Sequence, residues 1–200
     1  METITREYTV YSYSELSEEA KEKVREWYID DNDRCYMLSD CWNASLEYDF
    51  IYSDLKVQWS LNYCQGDGVN IYGKLKLSDM MDKIDFKHYT KKEIRFIEWV
   101  IKEYNPVITL PQNDHYAYCM ADRIDLESDL LWEMKYNGIK NIKRDVLEKL
   151  NNDIIAYFEN LCGHLEMSGY EYLYEPDEEE IIEACEANDW KFTEEGKFFY

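Results

Sequence analysis

The chain is expected to fold as an α+β protein, a mainly antiparallel sheet with helices packed on it. Three observations lead there. Lys56–Leu77 alternates apolar and polar residues on both sides of a glycine-containing turn, the period-2 pattern of a β-hairpin. Several other stretches repeat apolar residues every three or four positions, the helical period. Strand-like and helix-like segments are interspersed, and several strands follow one another in hairpin order.

The N-terminal stretch Thr3–Tyr13 is rich in Thr, Tyr and Val and reads as a strand. Ser17 is placed to cap a helix that begins with Glu18 and Glu19, acids suited to the positive end of a helix dipole. Leu16, Ala20, Val24, Trp27 and Tyr28 form its apolar stripe, and Asp31-Asn32-Asp33 stops it. Cys41–Leu55 is read as a second helix, with Trp42, Leu46 and Phe50 on one face. In the hairpin, Val57, Trp59, Leu61, Tyr63, Val69, Ile71, Leu75 and Leu77 are assigned to the core face. Asn70 falls in the opposite set, facing water. Gln65, Gly66, Asp67 and Gly68 form the structural turn, where the glycines tolerate positive φ and Asp67 folds back on its own backbone.

Ser78–Phe86 is ambiguous. Thr90-Lys91-Lys92-Glu93 has capping-box spacing and opens a helix that Asn105-Pro106 ends. Val107–Leu110 and His115–Ile124 are expected as strands, and Asn137-Gly138 as a stop. Asn141 to about Met167 reads as the longest helix, weakened near its end by Gly163. A last helix is expected to start with Pro176 at its first position. Trp190–Tyr200 then closes as a hairpin through Glu195-Gly196. The expected organisation is one domain, 1–200, with 168–200 as an acidic helix-plus-hairpin subregion.

Charge carries the functional information. Against 22 Lys and Arg stand 43 Asp and Glu, a net charge of −21. Between Lys149 and Lys191 there are 12 carboxylates and no Lys or Arg. Such a surface repels nucleic acid and anionic membranes and attracts basic proteins, including those built to hold nucleic acid. The N-terminus lacks the apolar core of a secretion signal, and no stretch is apolar enough to span a membrane. The six cysteines show no CxxC pair and read as reduced, mostly buried thiols.

No sequence motif selects a catalytic, cofactor or metal site. His88, His115 and His164 are far apart and outside any metal-binding spacing, and Asn151-Asn152-Asp153 lacks the ligand order of a calcium loop. The Gln65–Gly68 turn lacks the lysine and following helix of a phosphate loop. What remains is the acidic interval, read either as a solvated face or as a binding surface for a basic partner. Interleaved acids and tyrosines raise the second beside the first: Tyr170, Glu171, Tyr172, Tyr174 and Glu175, followed by Asp177, Glu178, Glu179, Glu180, Glu183 and Glu186. In this reading the three tyrosines alternate along an extended approach as anchors. Ile181, Ile182 and Cys185 face the core and leave Glu178, Glu179, Glu183 and Glu186 outward.

Three blocks, REYTVYSYSELSEEAKEKVREWY, CQGDGV and EYLYEPDEEEIIEACEANDWKFTEEGKFF, together resemble a family of small acidic proteins encoded mostly by phages and prophages, some of them labelled antitoxin-like. This chain departs at Cys64, where serine is common, and at Val69-Asn70, where small residues are common. The resemblance implies a mobile-element origin and a cytoplasmic setting, with no functional residue to transfer. The expected function is therefore non-enzymatic, requiring no cofactor. The protein would bind a basic, nucleic-acid-binding host effector and inhibit a host defence protein as an anti-CRISPR or other nucleic-acid mimic. The alternatives are an antitoxin-like neutraliser of a basic toxin and an enzyme without a recognisable motif.

Overall fold

A computed structural model describes residues 7–30 and 33–199. Helix accounts for 55% and strand for 12%, so helices carry most of the burial around an antiparallel sheet, and the fold is α+β. The chain divides into two compact units. One takes the middle of the sequence, Leu38–Gly169; the other joins the two ends, Met1–Met37 and Tyr170–Tyr200. From Tyr170 onward the 168–200 subregion falls in one unit with the N-terminal segment.

In the middle unit, β1 (Lys56–Ser60), β2 (Gly68–Lys76) and β3 (Val107–Leu110) form an antiparallel sheet in the order β1-β2-β3. Trp59 pairs with Val69, Val57 with Ile71 and Leu75 with Ile108. This register buries Val69, Ile71, Leu75 and Ile108. The hairpin strands are shorter than the alternation suggested, with residues 61–67 as connection. Tyr63, assigned to the core, has a φ of 54° and is exposed.

Asn70, assigned to water, is buried instead. Its side chain donates to the Pro111 carbonyl at 3.0 Å and accepts from the Met120 N–H at 2.9 Å. Residues 111–120 cross over it. They form no strand: the Asn113 side chain accepts from the N–H groups of His115 and Tyr116 and curls the backbone, and a short turn over Ala121–Arg123 follows. An Asx-type turn removes the N–H groups a ladder would need.

α2 runs over Asp33–Asp49, earlier than the expected Cys41–Leu55, yet Trp42, Leu46 and Phe50 are buried as its spacing requires. The Ser78–Phe86 region resolves into short 3₁₀ stretches at Leu77–Met80 and Phe86–His88. α3 (Lys91–Glu103) starts with the Thr90–Glu93 capping box. α4 (Leu126–Tyr136) fills the gap before Asn137-Gly138. α5 runs over Arg144–Tyr174, through Gly163 and seven residues past the expected end. Its buried row Val146, Leu150, Ile154, Phe158 and Cys162 outweighs the roughly 1 kcal/mol that a helical glycine costs. At Gly169 a Cβ would lie 2.5 Å from Leu61 and 2.7 Å from Trp42, so glycine permits the close approach there.

In the unit of the two chain ends, α1 (Glu18–Ile29) is capped by Ser17, which accepts from the Ala20 N–H at 3.2 Å. The expected strand Thr3–Tyr13 reduces, among the described residues, to a bridge between Tyr11 and Phe192, followed by a turn at Tyr13–Glu15; its residues 3–6, with residues 1 and 2, lie outside the described residues. The partner strand is only β4 (Lys191–Phe192), paired with β5 (Phe198–Phe199). Tyr200, Asp31 and Asn32 also lie outside the described residues. α6 (Glu178–Ala187) packs Ile181 and Cys185 with Tyr13, Leu16, Val24, Tyr28 and Phe192. The Trp27 ring stacks on Phe198 at 4.7 Å and meets Trp190 edge-on at 5.0 Å.

Candidate partner-binding face on α6

α6 begins at Asp177, whose side chain accepts from the Glu180 N–H at 2.7 Å. Pro176 therefore precedes the cap and is not the first helical residue. Capping places Glu178, Glu179 and Glu180 in the first turn, where the helix dipole favours negative charge. Their surroundings then diverge. Glu178 pairs with Lys21 at 3.0 Å. Glu180 pairs with Arg34 at 3.2 Å and accepts from the Tyr28 hydroxyl at 3.1 Å. Glu179, Glu183 and Glu186 are exposed, and among the described residues no cation stands within 4.0 Å of them.

The tyrosines are placed otherwise than expected. Tyr170, Tyr172 and Tyr174 lie in the last turns of α5, not on an extended segment. Tyr170 and Tyr174, four residues apart, approach to 6.1 Å between ring centres. Tyr172 turns to Arg34, whose guanidinium sits 4.6 Å from its ring. Glu171 and Glu175 are exposed at the same helix end, and the Glu175 N–H still donates to the Glu171 carbonyl at 2.9 Å. The predicted set thus separates into outward carboxylates and tyrosines that are half-buried.

Two hollows flank α6. The larger, about 600 Å³, lies along Glu180, Glu183, Ala184 and Ala187, with Tyr28 and Trp190 in its wall. These positions of α6 are three or four apart and share a face. The smaller, about 200 Å³, lies along Ile182, Cys185 and Glu186 on the other side. Trp190 borders both.

The Tyr28 hydroxyl and the Cys185 thiol, both beside α6, are held in their protonated forms at neutral pH. Burial, and then the Glu180 charge, push the Tyr28 hydroxyl up to about 12. Burial, and then Glu186, push the Cys185 thiol up to about 11. Comparisons with protein-family models, with curated proteins and with solved structures return no match.

Elsewhere, the Gln65–Gly68 turn is closed upon itself. The Asp67 carboxylate accepts from the N–H groups of Asn62 at 2.6 Å and Cys64 at 2.8 Å, and from the Ser60 hydroxyl at 2.8 Å. Those N–H groups are occupied and offer nothing to a phosphate. Gly66 has a φ of 101° and Gly68 of 150°. The sequence singles out none of the six cysteines; the structure sets Cys119 apart. A hydrogen bond with the Cys162 thiol draws it down to about 7 against burial, but the nearby charges, Glu159 and Asp122, oppose the thiolate. Among the described residues no group of three or more His, Cys, Asp or Glu side chains is arranged to hold a metal ion, and no helix is long and apolar enough to cross a membrane.

Proposed function

We propose that the protein acts by binding, not by catalysis, and that the α6 face takes a basic protein partner. The observation that carries this is the set Glu179, Glu183 and Glu186: three outward carboxylates, unneutralised by any described cation, beside an aromatic-walled groove. At about 1.5 Å per residue they span roughly 10 Å of helix, one Debye length at 0.1 M salt, so an approaching cation feels them together. Like charges four apart on a helix are destabilising, and a basic partner relieves that cost. The surrounding unit holds 21 acidic and 7 basic side chains, a net −14 that steers such a partner in.

The partner this field suits best is a surface evolved for nucleic acid. Together with the resemblance to phage-encoded acidic proteins, it supports a mobile-element protein that occupies the nucleic-acid-binding surface of a host defence effector in the cytoplasm. The test is capture from host lysate followed by kinetic titration of wild type and the triple variant Glu179→Lys, Glu183→Lys, Glu186→Lys at two salt concentrations. The expected result is a basic partner whose association slows and whose dissociation quickens with the variant, and whose affinity falls with salt. A nuclease or effector supports the inhibitor reading; a small basic toxin replaces it with an antitoxin-like one. Recovery of no basic protein, or unchanged affinity in the variant, overturns the acidic face.

A further inference from the structure

Among the described residues, Arg34 has two buried side-chain donors left without a partner. Its side chain is 4% exposed. The guanidinium lies between two rings, 4.4 Å from the centre of Tyr28 and 4.6 Å from that of Tyr172. Nη2 donates to the Tyr172 carbonyl and meets Glu180 at 3.2 Å. Nε and Nη1 are buried with no hydrogen-bond partner. Buried donors are nearly always paired, and an orphaned one costs free energy that an incoming acceptor recovers. Arg34 lines the 600 Å³ groove, with Met37 and Trp190 in the wall, Ala184 and Ala187 from α6, and Glu183 beside them. That volume lies within the range of ligand-binding clefts.

We propose that this groove receives an extended main-chain segment of the basic partner, with Arg34 donating to a backbone carbonyl oxygen and Glu183 holding a Lys or Arg side chain against Trp190. The proposal rests on the reading of the α6 face as a protein-binding surface and names what that surface recognises. Two donors alone would equally suit an anion, but Glu180 and Glu183 stand beside them in a unit of net charge −14. A neutral carbonyl satisfies the donors without adding negative charge, and the cationic side chain gains from the same carboxylates that would repel an anion. Trp190 offers that cation an aromatic face. The small residues Ala184 and Ala187 leave room for backbone at the helix surface.

The test uses the full chain and two probes of equal charge. One is an acetylated, amidated heptapeptide alternating alanine with three arginines; the other is spermidine, which carries three positive charges and no carbonyl. Calorimetry is expected to show the peptide binding at least tenfold tighter than spermidine, with the Trp190 indole N–H resonance moving for the peptide alone. Ala184→Trp, and independently Ala187→Trp at an exposed position, fill the groove and are expected to remove the peptide's advantage while spermidine binding stays. Arg34→Lys keeps a cation beside Glu180 but loses donors and is expected to weaken the peptide alone. Glu179→Lys with Glu186→Lys is expected to weaken both probes together. A peptide no tighter than spermidine, or groove variants that bind it as wild type does, overturns the groove and leaves the acidic face standing. No effect of the charge reversal on either probe overturns the acidic face itself.

Discussion

Asp67 shows how much one side chain can organise. Burial opposes its ionisation, but the hydrogen bonds from Cys64, Ser60 and Asn62 outweigh that and hold its carboxyl well below the usual range. A carboxyl with a depressed folded-state pKa contributes stability above its unfolded value, about 4, and loses that contribution as pH falls toward the folded value. Asp67→Asn is therefore expected to lower Tm at pH 7, with the gap to wild type narrowing steadily below about pH 4. Parallel melts from pH 7 to pH 3 check this; a gap constant with pH would mean that the charge on Asp67 does not hold the turn. The sequence revealed the position, because Gly-Asp-Gly between alternating runs is a turn signal. It did not reveal that the Asp67 acceptors consume the N–H groups a phosphate would want. Asn70 was illegible for a related reason. Alternation assigns a residue to a face, but whether a crossing loop then covers that face depends on residues forty positions away.

Among the elements, those whose signal is local were the readable ones. α1 and α3 begin at Ser17 and Thr90, β3 spans the expected residues, and the closing hairpin pairs at Phe192 and Phe198. The misreadings arise where chain context overrules propensity. Tyr170–Tyr174 alternates like a strand, yet it continues a helix with thirty-one residues of cooperative support. His115–Ile124 is rich in strand formers, but Asn113 diverts its backbone before a ladder can form. At the candidate site the helical period made the exposure of Glu179, Glu183 and Glu186 legible, but not the contact of Tyr172 with Arg34, which lies 138 positions away. α6 itself depends on its first cap. Asp177→Ala removes the acceptor for the Glu180 N–H and is expected to cost about 1 kcal/mol. The check is the denaturant midpoint of the variant, with amide exchange quickening in α6 above all. Unchanged exchange there would show that tertiary packing alone sets the helix start.

Across the whole molecule the charge is unequally shared. The unit built from the chain ends carries −14 over 68 residues, and the unit Leu38–Gly169 carries −7 over 132. Self-repulsion at that density weakens the compact state when salt is low. Tm is expected to rise as NaCl goes from about 10 mM to the physiological range of roughly 0.15 M, and the Lys triple variant of α6 is expected to rise less. Calorimetric scans at matched pH decide it; a flat or falling curve for wild type would mean that local pairs such as Lys21–Glu178 already balance the field.

The joining of both chain ends in one unit also sets an order of events at the ribosome. Residues 38–169 have all their mutual contacts once Gly169 has emerged. The apolar stripe of α1, translated earlier, waits for α6 and Phe192 before it can be covered. At roughly 5–20 residues per second, residues 170–200 take a few seconds to make. Through that interval α1 exposes Val24, Trp27 and Tyr28 to whatever chaperones attend the nascent chain. A message broken before the codons for α6 yields a polypeptide with a middle unit and no carboxylate face. The acidic surface thus forms only on chains whose translation has passed α6.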